Sequence, residues 1–246
     1  MTAGEGVSRN VFVTGGATGI GLAVVRAFLD SGDRVTLCYR SSQPPEDLLQ
    51  HERVAAIKLD VTSSAEIDAA FAESEERFGP VAVLVVNAGA TADGLMLRMS
   101  DNAWNTTIET NLTASFHLTK RATATMVRQR YGRIILVSSV VAFTGSAGQV
   151  NYAASKAGMV GLARSLAREL ATRSITVNVV APGAVATEMV LSLPDARQAA
   201  IAKETPMGRI AEAKEIASAI AFLGSDSASF ITGAVLAVDG GLSMGL

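Results

Sequence analysis

Thr14-Gly15-Gly16-Ala17-Thr18-Gly19-Ile20-Gly21 is the stretch of this sequence that decides the fold. It follows a short apolar run at residues 10–14 and leads directly into helical spacing over residues 20–29. Small residues let such a turn tighten and let its backbone approach a pyrophosphate, while the helix N-terminus supplies free N–H groups. The stretch therefore indicates a dinucleotide-binding turn, with an ordinary tight turn as the alternative.

Apolar runs of strand length recur along the rest of the chain. They are rich in Val, Ile and Leu without strict alternation, as expected for strands that are covered on both faces. Segments with helical spacing lie between them, which indicates βαβ units with right-handed crossovers. We predict an α/β fold with one Rossmann-type, doubly wound parallel sheet of about seven strands and helices on both faces. The strands are predicted at residues 10–14, 34–39, 54–59, 81–86, 133–138, 176–181 and 234–238.

The 246 residues show no internal repeat and no linker. We therefore predict a single domain over residues 9–246, preceded by a flexible, polar and Gly-rich tail at residues 1–8. Residues 101–130 form one long helical stretch. Residues 183–211 form a long connection, and a connection of that length in an α/β domain is often a lid over a site.

Composition excludes several classes of function. The net charge of −2 argues against a nucleic-acid-binding protein. The longest apolar runs, such as residues 81–86, fall far short of the roughly 20 residues that span a membrane. The N-terminus carries no apolar signal core, so we expect a cytoplasmic protein with no membrane partner.

Cysteine and histidine are too scarce for several kinds of chemistry. Cys38 is the only cysteine, so an internal disulfide is excluded, and its apolar surroundings predict a buried side chain. His51 and His117 are the only histidines and lie in unrelated segments, so we expect neither a metal site nor a serine hydrolase. Any acid–base chemistry must therefore use other groups.

The end of the second predicted strand bears on the choice of cofactor. An acidic residue there usually holds the ribose hydroxyl of NAD, whereas Arg accommodates the 2′-phosphate of NADP. Here the strand ends in Arg40-Ser41-Ser42, with no acid before Glu46. This pattern favours NADPH, although a solvated surface arginine would leave the same pattern.

Tyr152 and Lys156 are the candidates for proton transfer. Their i, i+4 spacing places them on one face of a helix. The ordinary pKa of tyrosine is about 10, and a cation one turn away favours the phenolate and lowers that value. Such a pair can serve as a general acid without histidine.

One ordered set of motifs resembles the short-chain dehydrogenase/reductase family over nearly the whole chain. The motifs are the glycine-rich turn, Asn87-Ala88-Gly89, Asn111, Ser139, Tyr152-x-x-x-Lys156 and Pro182-Gly183. The resemblance implies that Tyr152 donates a proton to a substrate carbonyl that Ser139 holds. It also implies that Lys156 lowers the tyrosine pKa and holds the nicotinamide ribose, and that Asn111 anchors a relay water.

The resemblance further implies which residues bind the NADPH cofactor. Arg40 and Ser41 would hold the 2′-phosphate, Asp60 and Val61 would contact the adenine, and the segment after residue 182 would support the nicotinamide. The full predicted set is Thr14, Gly15, Gly16, Ala17, Thr18, Gly19, Ile20, Gly21, Arg40, Ser41, Asp60, Val61, Asn87, Ala88, Gly89, Tyr152, Lys156, Pro182, Gly183, Val185 and Thr187.

Within that family the chain is most similar to the 3-oxoacyl-(acyl carrier protein) reductases of bacterial fatty-acid synthesis. The blocks that carry this likeness lie at residues 151–158, 165–170, 177–183 and 231–241. The likeness implies reduction of a 3-oxoacyl thioester on an acyl carrier protein or coenzyme A, and a homotetramer paired through the long helices and the C-terminal strand. It also implies that Arg130 and Arg173 dock the acidic carrier, with Arg128 and Arg133 as further candidates. Arginines near helix C-termini can equally complement the helix dipole.

Some positions depart from the pattern of these reductases. Thr18 stands where Arg is usual, so NADPH preference depends on Arg40. Ala142, Phe143, Ala184 and Glu188 also differ, around the expected substrate mouth. A ketoreductase for a polyketide or other secondary-metabolite ketone is therefore one alternative. A non-enzymatic module that senses NADP is the other.

Overall fold

Seven parallel strands form one sheet in the order β3-β2-β1-β4-β5-β6-β7. The structure is a computed structural model that describes residues 8–244, so the predicted tail lies outside the described residues except for Ser8. The strands are β1 (Asn10–Thr14), β2 (Arg34–Tyr39), β3 (Val54–Lys58), β4 (Val81–Val86), β5 (Gly132–Val137), β6 (Ile175–Pro182) and β7 (Val235–Val238).

Helices join the strands and cover the sheet. They are α1 (Gly19–Asp30), α2 (Glu46–Leu49), α3 (Ser64–Phe78), α4 (Asp101–Ile108), α5 (Ala114–Gln129), α6 (Val141–Thr144), α7 (Val150–Leu170), α8 (Glu188–Leu191), α9 (Asp195–Glu204) and α10 (Ala213–Leu223). In residues 8–244, no helix is both long and apolar enough to cross a membrane.

Both faces of the sheet are largely buried, as the apolar runs predicted, except at the edge strand β7, which has no buried residue. In β1 the side chain of Phe12 joins the core beneath α3, α5 and α7, where its ring stacks on Phe71 at 4.2 Å between centroids. Val11 and Val13 point to the opposite core, which contains residues of α1 and α10. The predicted fold class, a Rossmann-type α/β fold with helices on both faces, is thereby confirmed.

The strand order places a crevice beside β1. The order runs outward from β1 to β3 on one side and from β4 to β7 on the other, so the chain changes direction between β1 and β4. In open α/β sheets, ligands bind at the carboxyl ends of the strands at such a switch point. The glycine-rich turn follows β1, and Asn87-Ala88-Gly89 follows β4. These two motifs therefore lie together at the same crevice.

Two irregular regions differ in detail from the sequence expectation. The helical stretch predicted over residues 101–130 contains a π-helical turn, Glu109–Thr113, and Arg130 lies beyond its end in a left-handed conformation with φ of 53°. The predicted connection over residues 183–211 contains α8 and α9, and no side chain of α9 is buried. That the connection acts as a lid stays a prediction.

Candidate active site

A cavity of about 490 Å³ occupies the crevice at the carboxyl edge of the sheet. The ends of β1, β2, β4, β5 and β6 all contribute to its wall, together with the start of α7. Most of the predicted site residues line it: Gly15, Ala17, Thr18, Gly19, Ile20, Arg40, Ser41, Val61, Asn87, Ala88, Gly89, Ser139, Tyr152, Lys156, Pro182, Gly183, Val185 and Thr187.

Five predicted residues lie outside the lining of this cavity: Thr14, Gly16, Gly21, Asp60 and Asn111. Thr14 is fully buried, and its hydroxyl accepts hydrogen bonds from the backbone N–H groups of Asn87 and Ala88, each at 3.0 Å. It thereby joins the ends of β1 and β4. The predicted roles stay predictions, both for these five residues, of which Asn111 was predicted as catalytic and the other four as cofactor-binding, and for the residues that line the cavity.

Close packing explains the glycines of the turn after β1. Gly15 adopts a left-handed conformation with φ of +64°, and a Cβ at Gly21 would lie only 2.0 Å from the Gly15 carbonyl oxygen. Asn87 Nδ2 donates to the carbonyl oxygens of Thr14 and Gly15, both at 3.1 Å. Thr18 at the N-cap makes no side-chain hydrogen bond to α1. The first N–H groups of the helix therefore remain suitable donors for a pyrophosphate.

The end of β2 forms the other end of the cavity. Arg40 and Ser41 line it and are exposed. Hydrogen bonds from Thr62 lower the pKa of the Asp60 carboxyl, and the charge of Arg40 lowers it further. Cys38 is buried as predicted, and burial raises the pKa of its thiol. Sequence reasoning missed that Cys38 also lines the cavity, together with Tyr39, Ser42 and Leu59.

Tyr152, Ser139 and Lys156 meet on the cavity wall. Burial raises the pKa of the Tyr152 hydroxyl above 10.0, an interaction with the Ser139 hydroxyl lowers it, and the charge of Asp93 raises it. A lowering of this pKa by the charge of Lys156 stays a prediction. Lys156 Nζ lies 5.6 Å from the centroid of the Tyr152 ring. Burial is therefore the largest influence on the pKa of the Tyr152 hydroxyl.

Lys156 is held from two sides. Its Nζ donates to the Val137 carbonyl oxygen at 2.8 Å, and its own carbonyl oxygen accepts a hydrogen bond from the Ser138 hydroxyl at 2.9 Å. Burial lowers the pKa of the Lys156 ammonium from 10.5 to about 8. Sequence reasoning gave no role to Ser138. The serine pair after β5 could have suggested one, because adjacent residues at a strand end point in different directions.

The Asn111 side chain braces the wall of the cavity. Its Oδ1 accepts from the Ala90 backbone N–H at 2.8 Å, and its Nδ2 donates to the Ala90 carbonyl and to the Ser155 hydroxyl, each at 2.9 Å. Both amide hydrogens are thus used by the protein. The Asn111 backbone carbonyl accepts a hydrogen bond from the Ser115 hydroxyl. The predicted relay water at Asn111 stays a prediction.

The predicted docking arginines do not behave alike. Arg130 Nη2 donates to the Thr172 carbonyl at 3.3 Å, so Arg130 and Arg173 are neighbours on the surface. Arg133 is buried, and its guanidinium bonds to Asp226 and to the Ser174 carbonyl. The Arg133 guanidinium therefore stabilises the fold, and because it is buried it is unsuited to docking a carrier protein.

Fold and site together define a Rossmann-type α/β protein whose crevice brings together Tyr152, Lys156 and Ser139. A family whose sequence model is described as enoyl-(acyl carrier protein) reductase matches residues 15–243. The 3-oxoacyl-(acyl carrier protein) reductase MabA of Mycobacterium avium is 44% identical, over 97% of this chain and 91% of its own. The reductase FabG of Salmonella typhimurium is 45% identical and that of Escherichia coli 44%, each over 94% of this chain and 96% of its own.

The chain belongs to the short-chain dehydrogenase/reductase family. It is an oxidoreductase, and the family uses a nicotinamide cofactor. The alternative of a non-enzymatic binding module is set aside by this membership and by the presence of Asn111, Ser139, Tyr152 and Lys156.

Proposed function

We propose that this enzyme reduces a 3-oxoacyl thioester to the 3-hydroxyacyl thioester with NADPH. The observation that carries the proposal is the meeting of Tyr152, Ser139 and Lys156 on the wall of a dinucleotide-sized cavity. The names of relatives that share 43–45% of their residues with nearly the whole chain support the thioester as the substrate.

Tyr152 acts as the general acid in this proposal. The bound cofactor supplies a hydride to the substrate carbonyl carbon. Because the ordinary pKa of tyrosine is about 10, its hydroxyl carries a proton at neutral pH and can give it to the developing alkoxide. Ser139 holds the carbonyl oxygen in place, and the Lys156 ammonium favours the phenolate left after transfer. The Tyr152 phenolate then regains its proton along a route through Lys156 and the predicted water at Asn111.

NADPH is preferred over NADH because Arg40 and Ser41 lie at the cavity's far end. A 2′-phosphate there would face the Arg40 guanidinium, which is suited to phosphate recognition. Thr18 also lines this region and offers a hydroxyl in place of the arginine that is usual in similar reductases. The preference is therefore expected to depend strongly on a single charge.

The acyl carrier protein would dock on Arg130 and Arg173. Arg130 precedes β5 and Arg173 precedes β6, so both lie at the amino edge of the parallel sheet, opposite the cavity. Six strand residues separate the two edges by roughly 20 Å. We therefore propose that docking requires the predicted homotetramer. A carrier protein bound to the arginines of one subunit would deliver its acyl group to the cavity of another subunit. A cytoplasmic location stays a prediction.

Substrate-dependent oxidation of the cofactor tests the proposal. Acetoacetyl thioesters on carrier protein and on coenzyme A are compared with unrelated ketones, each with NADPH and NADH. We expect the thioesters to be turned over fastest, and with NADPH. Replacing Tyr152→Phe is expected to reduce kcat by at least about 100-fold while cofactor binding persists, because the ring stays and only the acid is lost.

The outcomes separate the remaining alternatives. Thioesters that are turned over no faster than unrelated ketones would favour a ketoreductase of the same family with a specialised substrate. Full activity in Tyr152→Phe would remove the proposed acid. Reversing the charges of Arg130 and Arg173 is expected to raise KM for the carrier-bound substrate only, and an equal change for the coenzyme A substrate would remove the docking proposal.

A further inference from the structure

Asn151, the residue before Tyr152, is completely buried at the start of α7. Its Nδ2 donates to the Ala92 carbonyl at 2.9 Å, to the Thr107 hydroxyl at 2.9 Å and to the Ala103 carbonyl at 3.2 Å. Its Oδ1 accepts from the Tyr152 backbone N–H at 2.8 Å. One side chain therefore joins the backbone of Tyr152 to the loop after β4 and to α4.

The start of α7 needs such support. Tyr152 lies in the first turn of the helix, where N–H groups lack intrahelical partners and the chain tends to fray. Gln149 occupies the N-cap position and makes no side-chain hydrogen bond to the helix. The preceding loop, residues 144–147, is exposed. Asn151 therefore provides a capping bond that the N-cap residue does not.

Two further hydrogen bonds run alongside Asn151. The Gly94 N–H donates to the Gly148 carbonyl at 2.8 Å, and Gln149 Nε2 donates to Asp93 Oδ2 at 3.0 Å. The loop of residues 90–94 is in turn fixed by Asn111 through Ala90. The start of α7 is thus attached to a segment that is itself anchored beside Lys156.

We propose that Asn151 is a positioning residue for Tyr152, holding the first turn of α7 so that the tyrosine hydroxyl stays beside Ser139 and the substrate carbonyl. The inference rests on the proposed function, in which Tyr152 is the acid. A displacement of about 1 Å in a reacting group can lower the rate by about 100-fold. Lys156 lies one turn further along α7 and is held separately by Val137 and Ser138, so cofactor binding is expected to persist.

Asn151→Ala tests the inference against a matched control. We expect kcat to fall by about 10- to 100-fold while the Kd for NADPH changes less than about 2-fold. Asn10→Ala is the control, because Asn10 is also buried and its Nδ2 bonds to Ser74 and to the Gly79 carbonyl at the opposite edge of the sheet. Asn10→Ala is expected to lower Tm by a similar amount with kcat unchanged.

Thr107→Val removes one acceptor of the Asn151 amide with little change of shape. We expect Thr107→Val to lower kcat a few-fold with unchanged cofactor affinity. If Asn151→Ala does not fold, Thr107→Val alone tests the positioning role of Asn151. The inference is overturned if kcat is unchanged in the folded Asn151 variant, or in Thr107→Val when that variant alone folds. It is also overturned if Asn10→Ala loses as much kcat as Asn151→Ala. If wild-type protein turns over no 3-oxoacyl thioester, the proposed function itself has failed, which is a different result from failure of the Asn151 inference.

Discussion

Gly89 lies so close to Asn111 and Lys156 that a single added methyl group would contact both side chains. A Cβ at this position would lie 3.1 Å from Asn111 Oδ1 and 3.4 Å from Lys156 Nζ. We predict that Gly89→Ala displaces one of these polar groups and lowers kcat by roughly 10-fold. Steady-state kinetics with the thioester substrate, together with NADPH titration, measure the effect.

Gly161→Ala is the matched control for that substitution. Gly161 lies in α7, and no atom lies within 4 Å of a Cβ built there. Alanine favours a helix by roughly 1 kcal/mol over glycine, so this variant should be as active as wild type and slightly more stable. Equal activity in both alanine variants would show that the contacts around Gly89 do not govern the reaction.

Lys156 links the site to the pH dependence of stability. Burial lowers its pKa from the ordinary 10.5 of an exposed lysine to about 8 in the folded protein. Between these two values the unfolded chain binds the extra proton, so raising the pH favours the folded state. We predict that wild type gains about 3 kcal/mol in unfolding free energy relative to Lys156→Met as the pH rises from 8 to 10.5. Denaturant titrations across that range measure this gain, and a constant difference would contradict it.

Some residues of the site could be predicted from sequence and others could not. Tyr152 and Lys156 were predicted from their i, i+4 spacing together with the ordered motifs, and both line the cavity. Asn151 was missed because its acceptors are mostly backbone carbonyls, Ala92 and Ala103 among them, which carry no side-chain signal. The raising of the Tyr152 pKa by burial was not predicted, because burial depends on the whole fold.

At the scale of elements, apolar runs located every strand to within a residue at each end. Residues 10–14, 34–39 and 81–86 were predicted with their observed bounds, since turns with polar or small residues flank them. The π-helical turn Glu109–Thr113 was not predicted, because one extra residue in a turn hardly alters helical periodicity. Periodicity therefore locates elements well and describes their irregularities poorly.

The amino edge of the sheet is fastened by an ion pair that joins β1 to the turn before β2. Arg9 bonds to both carboxylate oxygens of Asp33, and its Nη1 donates to the Gly224 carbonyl at 2.6 Å. The Asp33 side chain is only 4% exposed. Arg9→Met leaves this carboxylate without its charged partner, so we predict a loss of roughly 3 kcal/mol in unfolding free energy with kcat of the folded enzyme unchanged.

Arg26→Met provides the comparison for this ion pair. Arg26 pairs with Asp47 at 2.8 Å, and both side chains are about half exposed. Exposed pairs contribute less than about 1 kcal/mol, so Arg26→Met should unfold at nearly the wild-type denaturant concentration. If both methionine variants lost equal stability, burial of the Arg9–Asp33 pair would have no special effect.

At the scale of the whole molecule, several surfaces expose apolar side chains, and two of them lie where the sequence predicted pairing between subunits. Phe116 on α5 and Trp104 on α4 are 45% and 41% exposed, near the long helices that the sequence predicted as a pairing surface. Phe230 and Leu236, before and within β7, are exposed at the C-terminal edge of the sheet. Large exposed apolar side chains often mark protein interfaces. Two self-complementary surfaces on one chain suffice to build a tetramer with closed symmetry.

Charge substitutions on these two surfaces test the predicted homotetramer, which should come apart in steps. We predict that Phe116→Glu and Phe230→Glu each give particles of half the wild-type mass by light scattering, and that the double variant is a monomer, because a glutamate cannot be buried unpaired at an apolar interface. Leu49→Glu on α2, where Leu49 is 44% exposed, is the control and should leave the mass unchanged. A monomeric wild type, or a Phe116→Glu variant of unaltered mass, would remove the α5 surface from the assembly. Without that assembly, a carrier protein docked on Arg130 and Arg173 would have no cavity of a neighbouring subunit in which to place its acyl group.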